Sequence, residues 1–441
     1  MPPVSVDFTS RIKMAHRQGE LAEVAQAIAD GDGLIGDITT HEVGSEGSLR
    51  EITIEVEGQE HADKLCKRLD GLDGVEVKWH RDRALMMHEG GKLTIEPVRA
   101  VGTVQDMRDV YTPGVARACE AIKDDPEAAA KYTMIGHTVA ICTNGTRVLG
   151  LGDIGPLAAM PVMEGKAVVY RQLAGISAMP ILIDAPEPDE FVRTVVRIAQ
   201  TFGGIHLEDI SAPECYEIEA RLDDELEQPV MHDDVHGTAV VTLAAALAAC
   251  HRVEVDLQKA TVGQIGLGAA GWGIASLFVD AGTERVLGSD PDESTHEKAR
   301  ESGVEIVDQD ELMREADVVV ATSGQPGLIE PDSIEDGQVI LALTNPDPEI
   351  EPDAAREAGA AIALDGASVN NVLGYPGIFK GALDARAPRV SREMKIAAAW
   401  AIAGMSIERD ELVPDVLDPD VHAHVAEAVC KAATDSGDDG D

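Results

Sequence analysis

The chain runs to 441 residues, too many for one ordinary core, so about two to four domains are expected. Asp and Glu number 80 against 36 Lys and Arg, a formal net charge of -44, which opposes binding to nucleic acid or anionic membrane, since both are polyanions. Apolar residues make up 44% and permit packed cores, but no unbroken apolar run reaches the roughly 18 residues that cross a bilayer, and the six cysteines lack CxxC pairs, which excludes a zinc module or a disulfide scaffold.

The acids are spread through every segment instead of forming one block. Their mutual repulsion should destabilise the compact state at low ionic strength, and molar salt should screen it. This reads as a halophile's cytoplasmic protein, with a merely acidic mesophile protein as the alternative. The opening MPPVSVDFTSRIK lacks the basic-then-apolar pattern of a signal peptide, in keeping with a cytoplasmic location.

Residues 1–88 read as a small α+β unit. FTSRIKM is a strand, and GELAEVAQAIADGDG is a helix ended by glycines. IGDITTHEV and LREITIEVEG alternate like a hairpin around GSEGS, HADKLCKRLDGL is a second helix, and VEVKWHRD a last strand. The order βαββαβ is ferredoxin-like. It resembles the ACT family of regulatory domains, which would bind a small effector such as an amino acid around Gln18 and Gly19. A dimerisation or packing module without a ligand is the alternative.

Residues 89–235 form the expected second domain, in which YTPGVARACEAI opens a helical stretch. VAICTNGTRVLGLGDIG reads as two strands around a turn at Asn144-Gly145. MEGKAVVYRQLA is a helix, ISAMPILIDA a buried strand, and helix-rich sequence leads to PVMHDDVHGTA. Residues 236–434 then alternate strands and helices through KATVGQIGLGAAG, VLGSD, ADVVVATS and QVILALTNP, closing with SREMKIAAAWAIAGM. That alternation predicts a doubly wound parallel sheet of the Rossmann type. The tail 435–441 is expected to be disordered.

Two loops share the GxGxxG spacing of a dinucleotide fingerprint, GLGDIG at 150–155 and GLGAAG at 266–271. The second has the context that the mechanism needs. A strand runs into Gly266, Gly268 and Gly271, a helix follows at once, and the next strand ends at Asp290. The glycines allow a tight turn, close approach of backbone to pyrophosphate and tight helix packing, while Asp290 is placed to accept from ribose hydroxyls. GLGDIG runs into Pro156 and lacks the following strand and acid, so it is a decoy as a fingerprint. Asp290 would repel a 2′-phosphate and argues for NAD, whereas Lys298 and Arg300 could reach one, so NAD and NADP both stay open.

Two acidic pairs, Glu208-Asp209 and Asp233-Asp234, sit in apolar surroundings unlike the solvated acids elsewhere. Buried carboxylates need partners, and without cysteines a hard divalent cation, Mg²⁺ or Mn²⁺, suits them. Lys166 lies in an apolar helix, where burial lowers a lysine's pKa and fits it to act as a base; a snorkelling surface lysine is the alternative. His232 and His236 are spaced like a zinc motif but lack its central Glu.

The stretches YTPGVA, TNGTRVLGLGDIG, EGKA, LEDISAPECYEIE, HDDVHGTA, GLGAAG, TNPDPEI and NNVLGYPGIFKGALD, in that order, resemble malic enzymes of the short prokaryotic type over about residues 85 to 400. The resemblance implies oxidative decarboxylation of malate to pyruvate and CO₂ with NAD or NADP and a divalent metal, Mg²⁺ or Mn²⁺. It implies metal ligation by Glu208, Asp209 and Asp234, a general base at Lys166 and a general acid at Tyr111. Malate's carboxylates would meet Arg147, Asn345 and Asn371, with Asn370 as the alternative to the last. The resemblance also implies a homo-oligomer, dimer or larger, and a chain without the phosphate-acetyltransferase-like extension of larger bacterial relatives. Malolactic-type or oxaloacetate-decarboxylating chemistry is the runner-up; an inactive amino-acid-sensing binding protein is the reading from another class.

Overall fold

The computed structural model describes residues 6–148 and 150–435, so the acidic tail from 436 onward lies outside the described residues. The backbone divides into two units, Met1–Thr94 and Ile95–Asp441. The division falls after residue 88 because the short helix Arg83–His88, capped by the Asp82 carboxylate, packs back on strands of the first unit.

In the first unit the alternating segments pair as expected from their period of two. Strands β1 (Val6–Met14), β2 (Leu34–Gly44), β3 (Gly47–Val56) and β4 (Val75–Asp82) form one antiparallel sheet in the order β2-β3-β1-β4. Helices Glu20–Ala29 and Gln59–Asp70 lay Val24, Ile28, Leu65 and Leu69 on Phe8, Ile12, Ile52 and Ile54 of one sheet face. The edge strand β2 is exposed along its whole length.

The second unit holds two parallel sheets. One is built from β5 (Thr138–Thr143), β6 (Ser177–Leu182), β7 (Gly204–Leu207) and β8 (Val230–His232) in the order β6-β5-β7-β8. The expected strand after Asn144-Gly145 does not form. β5 is already paired on both edges, leaving no place for a hairpin partner. The chain instead folds back on itself: Ile154 and Gly155 donate to the Gly145 carbonyl, and Val148 bridges to Gly152. The long helix Gly155–Val169 begins there, and a π-helical turn, Tyr170–Ala174, ends it.

The other sheet contains β9 (Thr261–Ile265), β10 (Arg285–Ser289), β11 (Glu305–Ile306), β12 (Val318–Ala321), β13 (Val339–Ala342) and β14 (Ile362–Asp365). Its order, β11-β10-β9-β12-β13-β14, is that of a doubly wound dinucleotide-binding sheet, and the direction of winding reverses beside β9. Near-continuous apolar strands such as Val318–Ala321 belong in a sheet covered on both faces.

No break separates the two sheets near residue 236. Val139 and Ile141 of one and Val262, Val320 and Leu341 of the other share one apolar core with the helix Thr238–Arg252. Among the described residues, 233–252 is the one helical stretch long and apolar enough to span a bilayer, and 78% of its apolar window is buried inside this core. It is a core helix, and each fully buried Val or Leu on it contributes about 1.5–3 kcal/mol.

Candidate active site

β7 and β8 are parallel neighbours in register, Leu207 beside His232, so the residues that follow each strand emerge side by side. That register brings Glu208 and Asp209 against Asp234. Asp209 adopts a left-handed backbone (φ 53), a conformation that Asp tolerates better than most residues, and its amide donates to the Asp234 carboxylate at 3.0 Å. Ligand oxygens from Glu208, Asp209 and Asp234 all lie within 4.8 Å of one another. Oδ2 of Asp209 is buried with no hydrogen-bond partner among the described residues. Burial, followed by the neighbouring carboxylates, pushes Asp209 up to about 7 and Glu208 well above its ordinary range, although Lys166 opposes both. Converging oxygens, an orphaned acceptor and anions that repel one another fit a hard divalent cation.

Lys166 stands beside the cluster on the helix Gly155–Val169. Its Nζ is 3.0 Å from Glu208 Oε1 and 2.5 Å from Asp233 Oδ2, and lies over the Tyr375 ring at 4.4 Å. The expectation of a lowered lysine pKa is corrected here. Burial does lower it, but Asp233 and Glu208 outweigh burial and hold the ammonium well above its usual range. Asp233, fully buried, also accepts from the Asn371 amide at 2.8 Å. Gly237 in the π-helical turn Asp233–Gly237 leaves it room, since a Cβ there would lie 1.7 Å from Asp233 Oδ1. Asp233 therefore pairs with the lysine, with a ligand oxygen also within 4.8 Å of His206 and Glu208, and Asp234 stands in the carboxylate cluster with Glu208 and Asp209. Asn370 is exposed and spends its side-chain oxygen on the Val372 amide, which leaves Asn371 as the residue that reaches Asp233, the lysine's partner.

Other expected site residues stand further out. The Arg147 amide donates to the Asp209 carbonyl at 3.1 Å, while its side chain is exposed. Asn345, half-buried after β13, has its amide against Gly366. Tyr111 ends the helix Val104–Val110 with 67% of its surface exposed, and no hydrogen bond joins its hydroxyl to the cluster among the described residues.

The second glycine loop follows β9 directly. Gly266 donates to the Ser289 carbonyl, Gly268 starts the helix Ala269–Asp280, and a Cβ at Gly271 would lie 1.9 Å from the Gly266 carbonyl oxygen. Asp290 accepts from the Leu267 amide at 2.6 Å and from the Asp292 amide at 2.8 Å, so it braces the loop as well as standing at the end of β10. Lys298 does not stand free for a phosphate. Its Nζ lies over the rings of Tyr216 and Trp272, at 3.7 and 3.8 Å. Arg300 is exposed.

Two groups escaped the sequence reading. One is Asp233 as the lysine's partner; the other is His206, fully buried, whose Nε2 lies 2.7 Å from Glu208 Oε2. A histidine in a four-residue strand buried throughout was the available signal.

A doubly wound sheet with its dinucleotide loop, joined to a second sheet bearing clustered acids and a buried lysine, defines an α/β oxidoreductase. Residues 91–223 match the family model "Malic enzyme, N-terminal domain", and residues 240–324 match "D-isomer specific 2-hydroxyacid dehydrogenase, NAD binding domain". NAD-dependent malic enzyme 1 of Bacillus subtilis is 50% identical over 94% of this chain and 95% of its own length. NAD-dependent malic enzyme of Geobacillus stearothermophilus is 39% identical over 98% and 95%. The crystal structure of malic enzyme from Pyrococcus horikoshii superposes with a TM-score of 0.76 at 37% identity, covering 80% of this chain and 90% of that one. The chain belongs to the malic enzyme family.

Proposed function

We propose that the protein oxidises (S)-malate with NAD(P)⁺ and releases pyruvate and CO₂. The observation that carries this reading is the convergence of Glu208, Asp209 and Asp234 within 4.8 Å, with Lys166 at 3.0 Å from Glu208. Those three carboxylates would hold Mg²⁺ or Mn²⁺. When bound, the cation would polarise malate's C2 oxygen, stabilise the enolate and weaken the field that keeps Lys166 protonated, and the nicotinamide would take up hydride. Lys166, as the neutral amine, accepts the C2 hydroxyl proton as the C2 hydride departs. Cleavage of the C3–C4 bond then releases CO₂, and the electron pair left behind becomes the enolate of pyruvate. Tyr111 delivers the proton to C3. Arg147, Asn345 and Asn371 receive the substrate's carboxylates, and Asp233 holds Lys166 in place.

NAD is the preferred cofactor in this reading, supported by Asp290 at the end of β10 and by Lys298 being taken up by Tyr216 and Trp272. The N-terminal unit serves as an ACT-like, ferredoxin-like regulatory module; in its first turn Glu20, buried and bound to Arg17, keeps Oε1 without a partner among the described residues. The active form is a homo-oligomer, which would cover the exposed apolar side chains Val104, Met107, Val110 and Tyr111, spaced along one side of the helix Val104–Val110. In this reading the charge of -44 is an adaptation to a salt-rich cytoplasm.

The test is malate-dependent NAD⁺ reduction with Mn²⁺ in molar KCl, with products identified. NADH, pyruvate and CO₂ in equal amounts are expected. Lactate without net NADH would assign the malolactic reaction instead.

A further inference from the structure

Glu208 presents one oxygen to Lys166 and the other to His206. His206 Nδ1 lies 2.8 Å from the Tyr170 hydroxyl, and all three side chains are buried. A neutral imidazole bears one N–H. If it sat on Nδ1, a bare Nε2 lone pair would face the Glu208 oxygen at 2.7 Å, a repulsive contact for the ionised carboxylate that a cation requires. With the Tyr170 hydroxyl donating to Nδ1, the N–H falls on Nε2 and points at the carboxylate. The ring is also clamped, with Tyr170, Tyr375 and Phe379 centroids at 5.8, 5.4 and 5.6 Å.

His232, on the adjacent strand, gives the contrast. It is equally buried, yet both its ring nitrogens lack hydrogen-bond partners among the described residues. Burial in this layer does not by itself supply a hydrogen bond, since His232 Nδ1 stands 3.9 Å from Asp234 Oδ2, so the Tyr170–His206–Glu208 chain is a specific arrangement.

We propose that His206, held in one tautomer by Tyr170, is a positioning residue that fixes the Glu208 carboxylate in the orientation a divalent cation needs. This rests on the metal reading of Glu208, Asp209 and Asp234. A glutamate free to rotate would have to be ordered when the cation arrives, and the imidazole imposes that order beforehand.

The test is calorimetric titration of the full chain with Mn²⁺ alone in molar KCl, without malate or nucleotide. His206→Leu should weaken Mn²⁺ by about 10–100-fold, with NAD⁺ affinity unchanged. His206→Gln, whose amide can donate to the carboxylate, should recover part of the loss, and Tyr170→Phe should fall between wild type and His206→Leu. Phe379→Leu disturbs the packing around the ring while leaving both hydrogen bonds, and should keep the wild-type Mn²⁺ affinity. Wild-type affinity in His206→Leu, or an equal loss in Phe379→Leu, overturns the proposal. If His206→Leu fails to fold, Tyr170→Phe decides: wild-type affinity there overturns it too. Glu208→Gln separates the two layers of inference, because undiminished Mn²⁺ binding in that variant defeats the metal reading itself.

Discussion

GLGDIG at 150–155 and GLGAAG at 266–271 share one glycine spacing and serve different ends. The second joins a strand directly to a helix, and Gly271 packs against the Gly266 carbonyl where no side chain fits. The first follows a strand already paired on both edges, folds back through the Gly145 carbonyl, and opens the helix that carries Lys166 to the acids. A glycine pattern states where backbone bends tightly. The strand before it and the helix after it decide what that bend presents.

If the first loop and its helix serve chemistry while the second serves the cofactor, substitutions should separate along that line. Lys166→Ala should lower kcat by about 10²–10⁴-fold, the usual range for a general base, with NAD⁺ binding intact; steady-state rates beside a nucleotide titration read both. Arg147→Ala, just before the first loop, should raise the KM for malate by about 10–100-fold, the equivalent of one lost charged hydrogen bond. NAD⁺ affinity should again hold; a change in NAD⁺ affinity with an unmoved malate KM would reverse the two loops' roles.

Gly271→Ala should act in the opposite sense. Overpacking of about 1–3 kcal/mol should weaken NAD⁺ roughly tenfold and leave Mn²⁺ affinity unchanged, as calorimetry with each ligand would reveal. The smallest and most diffuse effect is that of salt on the whole chain. Melting temperature should fall on dilution from molar to low KCl as screening of the -44 charge is lost. An unchanged melting temperature would remove the halophilic reading without touching the site.

Much of this was legible in the chain because it is local. Strand, glycines, helix and Asp290 follow one another within a short span, and Glu208-Asp209 stands out as charge at the end of an apolar strand. What was not legible depends on which strand ends adjoin. Asp233 meets Lys166 across 67 residues and Asn371 across 138, distances over which periodicity carries no information. The same reason explains the misread hairpin: Asn144-Gly145 has the local signature of a turn, but β6 and β7 occupy both edges of β5. The sign of the Lys166 shift also depended on neighbours, since burial and two carboxylates pull in opposite directions.

The most direct test is anomalous scattering from crystals grown with MnCl₂. A single manganese peak per chain should appear among Glu208, Asp209 and Asp234, with carboxylate oxygens at about 2.1 Å, the distance of comparable hard cations. A peak elsewhere, or those three side chains turned away from one another around an empty centre, would contradict the account.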